Sequence, residues 1–444
     1  MSERQLLLAD VILTMDAQGR VVERGGLLVE DQRILAIGPR SEFEGAQATR
    51  IEMPGRLLMP GLINAHTHTP MTLFRGLAEG YSLLTLDGWL RGIRKWESLM
   101  HPAMVAPAVA VSCAEMIRTG TTCFADQYFY MDAIIPVVRE SGMRAALAYG
   151  IVELGDDAAR DDALRATSAF LEALRGDPRL TAWLGPHALF VDNQEATIRT
   201  ALALADAYAT GLHIHFSTAG EEDAYCQQRY GMTAVQRMKH LGLLERRLLA
   251  AHCLTIPDED LVTLAAAPAF TAVMAASACM RAGRPAAPLT RMLALGINTA
   301  LGTDNVAANN SYDLFSEMRT LGKLMSYREG EPNPIPAKTI VEMATTRAAK
   351  ALGLDDQVGS LQAGKLADVI ALDLGAPGFA PRRGQDIYTA LVYAVSGASV
   401  TDAMVGGQWL MRNGCLLTID YARACAQLEQ QVDALLASAK RPHI

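Results

Sequence analysis

The stretch Leu57-Leu58-Met59-Pro60-Gly61-Leu62-Ile63-Asn64-Ala65-His66-Thr67-His68 decides how the rest of this 444-residue chain is read. Its first seven residues are an apolar run with the pattern of a short buried strand. Along a strand, residues i and i+2 face the same side, so His66 and His68 project together from its end. Two imidazoles leaving a strand end side by side are the beginning of a metal site. Most such pairs are surface or satisfied core residues, so the pair alone decides little. Three further apolar stretches give it weight, because each stops at a group of the same kind: Leu212-His213-Ile214-His215, Leu249-Ala250-Ala251-His252 and Ala300-Leu301-Gly302-Thr303-Asp304.

Eight candidate strands can be placed, near 58–66, 121–126, 145–151, 181–187, 212–216, 248–252, 270–275 and 298–304. Helical patterns at 195–210, 289–295 and 313–325 fall between or after them. This alternation predicts a parallel sheet with helices outside. Ligating groups at the carboxyl ends of parallel strands are where a (β/α)8 barrel carries its active site. The fold expected is therefore α/β, a TIM barrel over 57–355. Residues 1–56 alternate short apolar runs with turns and are too few to close a core. With the strand patterns at 364–372 and 400–410 they predict a composite β-sandwich from both chain ends, 1–56 and 356–444, flanking the barrel. The helical spacing over 421–439 is expected to pack on that sandwich.

The net charge of −8, without a basic stripe, argues against nucleic acid or an anionic membrane as partner. No apolar run approaches the roughly 18 residues that span a bilayer. Met1-Ser2-Glu3-Arg4-Gln5 lacks the pattern of a signal peptide. Seven cysteines without paired spacing read as reduced thiols, which suits a cytoplasmic location. Cys253 follows His252 but points the other way on a strand, which suits buried packing.

His66, His68, one of His213 and His215, and Asp304 supply three imidazole nitrogens and one carboxylate. That set suits one divalent metal, Zn²⁺ first and Fe²⁺ second, with a position open to water. The metal would lower the pKa of water from 15.7 toward about 7, supplying hydroxide at neutral pH. Asp304 can take the proton, and His252 can steer the nucleophile or polarise the substrate. Taken alone, His252 is as readily a satisfied core histidine. Trp89 and Trp96, with Leu90 and Ile93, stand at helical spacing and are more often core or subunit contacts than a lid. Asp126 reads equally as a substrate contact or a helix N-cap.

The pieces Pro60-Gly61-Leu62-Ile63-Asn64-Ala65-His66-Thr67-His68, Gly185-Pro186-His187, Ala251-His252-Cys253, Leu301-Gly302-Thr303-Asp304-Asn305 and Gly359-Ser360-Leu361-Gln362-Ala363-Gly364-Lys365-Leu366-Ala367-Asp368 resemble the amidohydrolase superfamily in its cytosine-deaminase-like branch. Within it the chain is similar to S-adenosylhomocysteine/methylthioadenosine deaminases and to triazine hydrolases such as atrazine chlorohydrolase. The resemblance spans essentially the whole chain. It implies one Zn²⁺ or Fe²⁺ held by His66, His68, His215 and Asp304, with His252 catalytic together with Asp304. It also implies substrate contact by His187 and assembly into a dimer or tetramer.

Two departures stand out. The family's His-x-x-Glu after strand five, whose glutamate shuttles a proton, reads His215-Phe216-Ser217-Thr218 here. Glu221 and Glu222 follow, either as a replacement reaching in or as a solvated first helical turn. After strand seven the chain reads Met274-Ala275-Ala276-Ser277-Ala278-Cys279, where deaminases carry a histidine and an asparagine. An apolar edge there suits a flat ligand. Thr218, Met274, Trp89 and Asn305 join His187 as expected substrate contacts. The expected activity is hydrolytic deamination of an N-heteroaromatic small molecule, aminopurine-, pyrimidine- or triazine-like. Triazine-type chlorohydrolysis or alkylaminohydrolysis is the runner-up, and cyclic-amide opening is a third enzymatic reading. A metal-binding pseudoenzyme stands against all three, and a metal set with an open position speaks against it.

Overall fold

A computed structural model describes residues 3–439. Its sixteen strands form two eight-stranded sheets. The first sheet joins the chain ends: β1 (Arg4–Leu13), β2 (Val21–Glu30), β3 (Arg33–Pro39) and β4 (Thr49–Pro60) come from one end. From the other end come β13 (Val369–Asp373), β14 (Val400–Val405), β15 (Gln408–Arg412) and β16 (Cys415–Leu416). The seam is the antiparallel pairing of β13 with β4, with Val369 opposite Pro60. Leu7, Ile12, Leu27, Val29, Leu58, Leu361, Val369 and Met404 pack as one buried cluster across that seam. The expected composite sandwich from both ends is thus built.

The second sheet holds β5 (Leu62–Thr67), β6 (Thr121–Tyr128), β7 (Arg144–Ile151), β8 (Leu180–Pro186), β9 (Leu212–Phe216), β10 (Leu248–His252), β11 (Phe270–Met274) and β12 (Asn298–Leu301). Their hydrogen-bonded order follows the chain and every pair is parallel. A parallel bridge between Thr67 and Asp304 brings the last strand's end back to the first, so the barrel is nearly closed. Both faces of its strands are covered, which explains their continuous apolar runs.

Two expectations change. The apolar run at 57–63 is not one strand: 57–60 end β4 in the flanking sheet and the barrel begins at Leu62. The break is at Gly61, where a Cβ would lie 2.1 Å from Thr122 Oγ1 at the start of β6. The helix Tyr421–Ala439 packs on the barrel helix Pro102–Arg118, not on the sandwich. Leu435 is fully buried there, and the Arg118 guanidinium lies 4.1 Å from the centre of the Tyr421 ring. Sandwich and barrel are tied at the barrel's amino-terminal face by the buried pair Arg144–Asp368, 3.1 Å apart. Among the described residues no single helix is long and apolar enough to cross a membrane.

Candidate metal centre and active-site cavity

Five of the residues singled out in the sequence meet at the carboxyl end of the barrel. One ligand atom each from His66, His215, His252 and Asp304 lies within 4.8 Å of all the others. His68 joins them, with Nε2 3.3 Å from Asp304 Oδ1 and 3.2 Å from His215 Nε2. All are buried except His215, which is partly so. Alternation turns both His213 and His215 to the barrel interior; His215, two residues nearer the carboxyl end of β9, enters the cluster, while His213 Nε2 sits 2.7 Å behind His66 Nδ1.

The ring nitrogens facing away from the cluster fix those facing in. His68 Nδ1 donates to the Gln127 carbonyl at 2.6 Å and His215 Nδ1 to the His187 carbonyl at 2.9 Å. Each Nε2 then carries a lone pair, an inference from hydrogen-bond partners. Two such lone pairs 3.2 Å apart, beside a carboxylate oxygen, repel unless a cation lies between them. His66 Nε2 and both nitrogens of His252 are buried without a hydrogen-bond partner, a state that a native core rarely tolerates. Three neutral nitrogens and a carboxylate fit a divalent metal ion.

Electrostatics agree. Burial holds the His252 imidazole down to about 3 and, helped by neighbouring imidazoles, keeps His213 and His215 well below the usual histidine range. Burial lowers His66 as well. His68 goes the other way: burial lowers it, and the adjoining Asp304 carboxylate outweighs burial. Burial pushes the Asp304 carboxyl up, but the adjoining His66, His68 and His252 imidazoles bring it well below the ordinary carboxylate range.

Local backbone strain marks the same place. Ser217, His252 and Asp304 follow or end β9, β10 and β12 with left-handed φ of 53°, 81° and 61°. Non-glycine residues rarely adopt that region, and structure holds them there at some cost. Asp304 is held by its N–H, which donates to the His66 carbonyl at 2.9 Å. Asn305 donates to Asp304 Oδ1 from both its backbone N and Nδ2, at 2.7 and 2.9 Å.

Asp126 is fully buried and does not cap the following helix, whose N-cap is Tyr130. Its carboxylate accepts from Thr67 Oγ1, Thr69 N and Thr69 Oγ1 at 2.7–2.8 Å, holding the turn that carries His66 and His68. Gln127, which the sequence reading passed over, joins that turn to β9 by donating to the His213 carbonyl at 2.6 Å.

Above the cluster opens a cavity of about 800 Å³ including its mouth. His187, Trp89, Thr218 and Asn305, expected as substrate contacts, line it. The Trp89 and His187 rings lie 5.0 Å apart at 31°, and His187 Nδ1 donates to Asp192 Oδ2. Met274 is not on this wall: with Ala275 and Cys279 it lines a separate apolar space on another side of His252. Glu221 and Glu222 do open the helix Glu221–Tyr230, as one of the two expectations has it, but neither is freely solvated. Glu221 lines the cavity, and its carboxylate accepts from Leu86 N at 3.1 Å. Glu222 is buried and accepts from Ser217 N, fixing the left-handed turn before Thr218. Glu97 also lines the cavity, a residue the sequence reading missed. Its signal was available: Trp89, Ile93 and Glu97 recur every four residues, and the last is a carboxylate in an apolar stripe.

A barrel that gathers histidines and an aspartate beneath a largely apolar cavity is built for metal-dependent hydrolysis. Residues 57–410 match the model of the Amidohydrolase family. A 5'-deoxyadenosine deaminase of Methanothermobacter thermautotrophicus is 36% identical over 409 residues, covering 91% of this chain and 93% of that protein. A 5-methylthioadenosine/S-adenosylhomocysteine deaminase of Nitratidesulfovibrio vulgaris is 37% identical over 428 residues, covering 95% and 96%. The crystal structure of an adenosine deaminase from Xanthomonas campestris with bound zinc superposes with a TM-score of 0.91 at 29% identity, covering 98% of both chains. The chain belongs to the amidohydrolase family.

Proposed function

We propose that this chain is a metal-dependent aminohydrolase that replaces the amino group of an N-heteroaromatic small molecule by hydroxyl, releasing ammonia. The observation that carries the reading is the facing of the His68 and His215 lone pairs and Asp304 Oδ1 on the cavity floor. The deaminase relatives support the substrate class.

His66, His68, His215 and Asp304 are assigned as ligands, with Zn²⁺ first and Fe²⁺ second. His252 is kept for proton handling, because neither of its nitrogens is anchored by a carbonyl as those of His68 and His215 are. When bound, the metal supplies Lewis acidity, lowering the pKa of water from 15.7 toward about 7. Asn305 engages Asp304 Oδ1 and leaves Oδ2 to accept the nucleophile's proton. His252, neutral at physiological pH, hydrogen-bonds the nucleophile and keeps it aimed at the ring carbon. Trp89 and His187 offer ring faces for a flat substrate, and Asp192 fixes the His187 tautomer so that Nε2 is the atom presented to it. Thr218 stands where the relatives' glutamate is expected, and its hydroxyl holds a water to relay the proton to the leaving amine.

The buried free cysteines suit the cytoplasm, where we place the enzyme as a homo-oligomer, dimer or tetramer. A mass-spectrometric turnover screen of the zinc- and iron-loaded protein tests the reaction, with aminopurines, aminopyrimidines, pterins and amino- or chlorotriazines. Amino-to-hydroxyl exchange with ammonia is the expected result. Loss of halide or alkylamine instead would overturn the aminohydrolase reading.

A further inference from the structure

The cavity wall carries four acids, Glu97, Asp192, Glu221 and Asp304, and among the described residues no lysine or arginine. Three of the four are engaged by other side chains. Asp304 belongs to the histidine cluster, and Asp192 is paired with His187. Glu97 accepts from Tyr128 Oη at 2.9 Å and pairs with Arg94 at 3.3 Å. Arg94 itself lies on the outer side, its guanidinium 5.8 and 5.7 Å from the Trp89 and Phe129 ring centres. The other nearby cation, Arg284, is turned to the Thr218 carbonyl, 3.2 Å from its Nε.

Glu221 differs from these. It forms no ion pair among the described residues, and its oxygens accept from Leu86 N at 3.1 and 3.3 Å. That single tie joins the start of the helix Glu221–Tyr230 to the segment 82–97 beside the cavity, so the carboxylate is fixed where a substrate must pass or rest. A partly buried anion without a counter-ion repels a second anion far more strongly than an exposed one does. Discrimination of this kind is made by a repulsive group as effectively as by an attractive one.

We propose that Glu221 is a specificity-determining residue that makes this cavity reject ring substrates carrying an anionic substituent and accept neutral or cationic ones. The proposal rests on the aminohydrolase reading for the ring, but charge selection is measurable without turnover.

The test uses the metal-loaded full chain and matched ligand pairs on aminopurine, aminopyrimidine and aminotriazine rings. Each pair is one side chain ending in a methyl amide or in a free carboxylate. Affinities are taken by calorimetry for the native protein and for Glu221→Gln, which keeps an acceptor for Leu86 N. On whichever ring binds, the amide should bind about tenfold or more tighter than the carboxylate. The ratio should shrink toward one in Glu221→Gln and narrow with added salt in the native protein, a readout that needs no variant. Equal affinity, a preference for the carboxylate, or an unchanged ratio in Glu221→Gln would overturn the proposal. Binding with the expected ratio but no ammonia would sink the aminohydrolase reading and leave charge selection standing. Failure of every pair to bind would overturn both.

Discussion

The backbone N–H of Asp304 donates to the carbonyl of His66, so the hydrogen bond that brings the barrel's last strand to its first also sets two groups of the metal centre. The approach depends on Gly302, where a Cβ would fall 2.7 Å from His66 Cβ and 2.8 Å from its backbone N. Backbone cannot yield cheaply at that distance. Gly302→Ala is therefore expected to cost about 3 kcal/mol of stability and at least tenfold in metal affinity. Thermal unfolding and metal titration on the same preparation check both.

Asp126 does not line the active-site cavity but ties down the turn between His66 and Thr69 with three accepted hydrogen bonds. Asp126→Ala leaves buried donors unsatisfied, which costs about 1–3 kcal/mol each before relaxation. The expected result is a lower Tm together with 10–100-fold weaker metal binding, as for loss of a group that orients ligands. Metal affinity unchanged by Asp126→Ala would contradict this role.

Thr218→Ala should reduce kcat less than tenfold, since a water can be held by other groups of the wall. His252→Ala should reduce it by about 10²–10⁴, the range of a lost acid–base group. Steady-state kinetics on a substrate from the turnover screen separate the two. Equal losses would make Thr218 itself indispensable to proton transfer.

How much of this was legible in the sequence depended on strand periodicity. A period of two placed His66 with His68 and left only His213 and His215 to choose between, and it brought Asp304 and His252 to the same barrel end. Three features lay beyond it. The apolar run at 57–63 gave no sign of passing from one sheet to another, because the residues on both sides of Gly61 are buried, and the close approach of Thr122 to Gly61 is a tertiary contact with no local pattern. Met274 was expected at the cavity because it ends a barrel strand, but its side chain faces the small space behind His252. The Glu221–Leu86 contact spans 135 residues, and no local pattern encodes it.

Burial pushes the carboxyl of Glu222 up to about 7, against 4.5 for an ordinary glutamate. The folded chain then holds a proton that the unfolded chain has lost between those values. This contribution is fully present below about pH 4.5 and lost as pH rises through about 7. Glu222→Gln keeps an acceptor for Ser217 N and cannot ionise. Its Tm relative to the native protein should rise between pH 5 and pH 8, as thermal unfolding at the two values would show. A constant difference would mean that Glu222 ionises normally in the fold.

The central claim is that ammonia release from an amino-substituted ring depends on a divalent metal at the histidine–aspartate cluster. The most direct measurement strips the metal with a chelator, verifies its loss by elemental analysis, and follows ammonia before and after one equivalent of zinc per chain. The account predicts less than about 1% residual activity in the stripped protein. Zinc should restore activity in the native chain and not in His66→Ala or Asp304→Asn. Ammonia release undiminished in protein shown to be metal-free would contradict it.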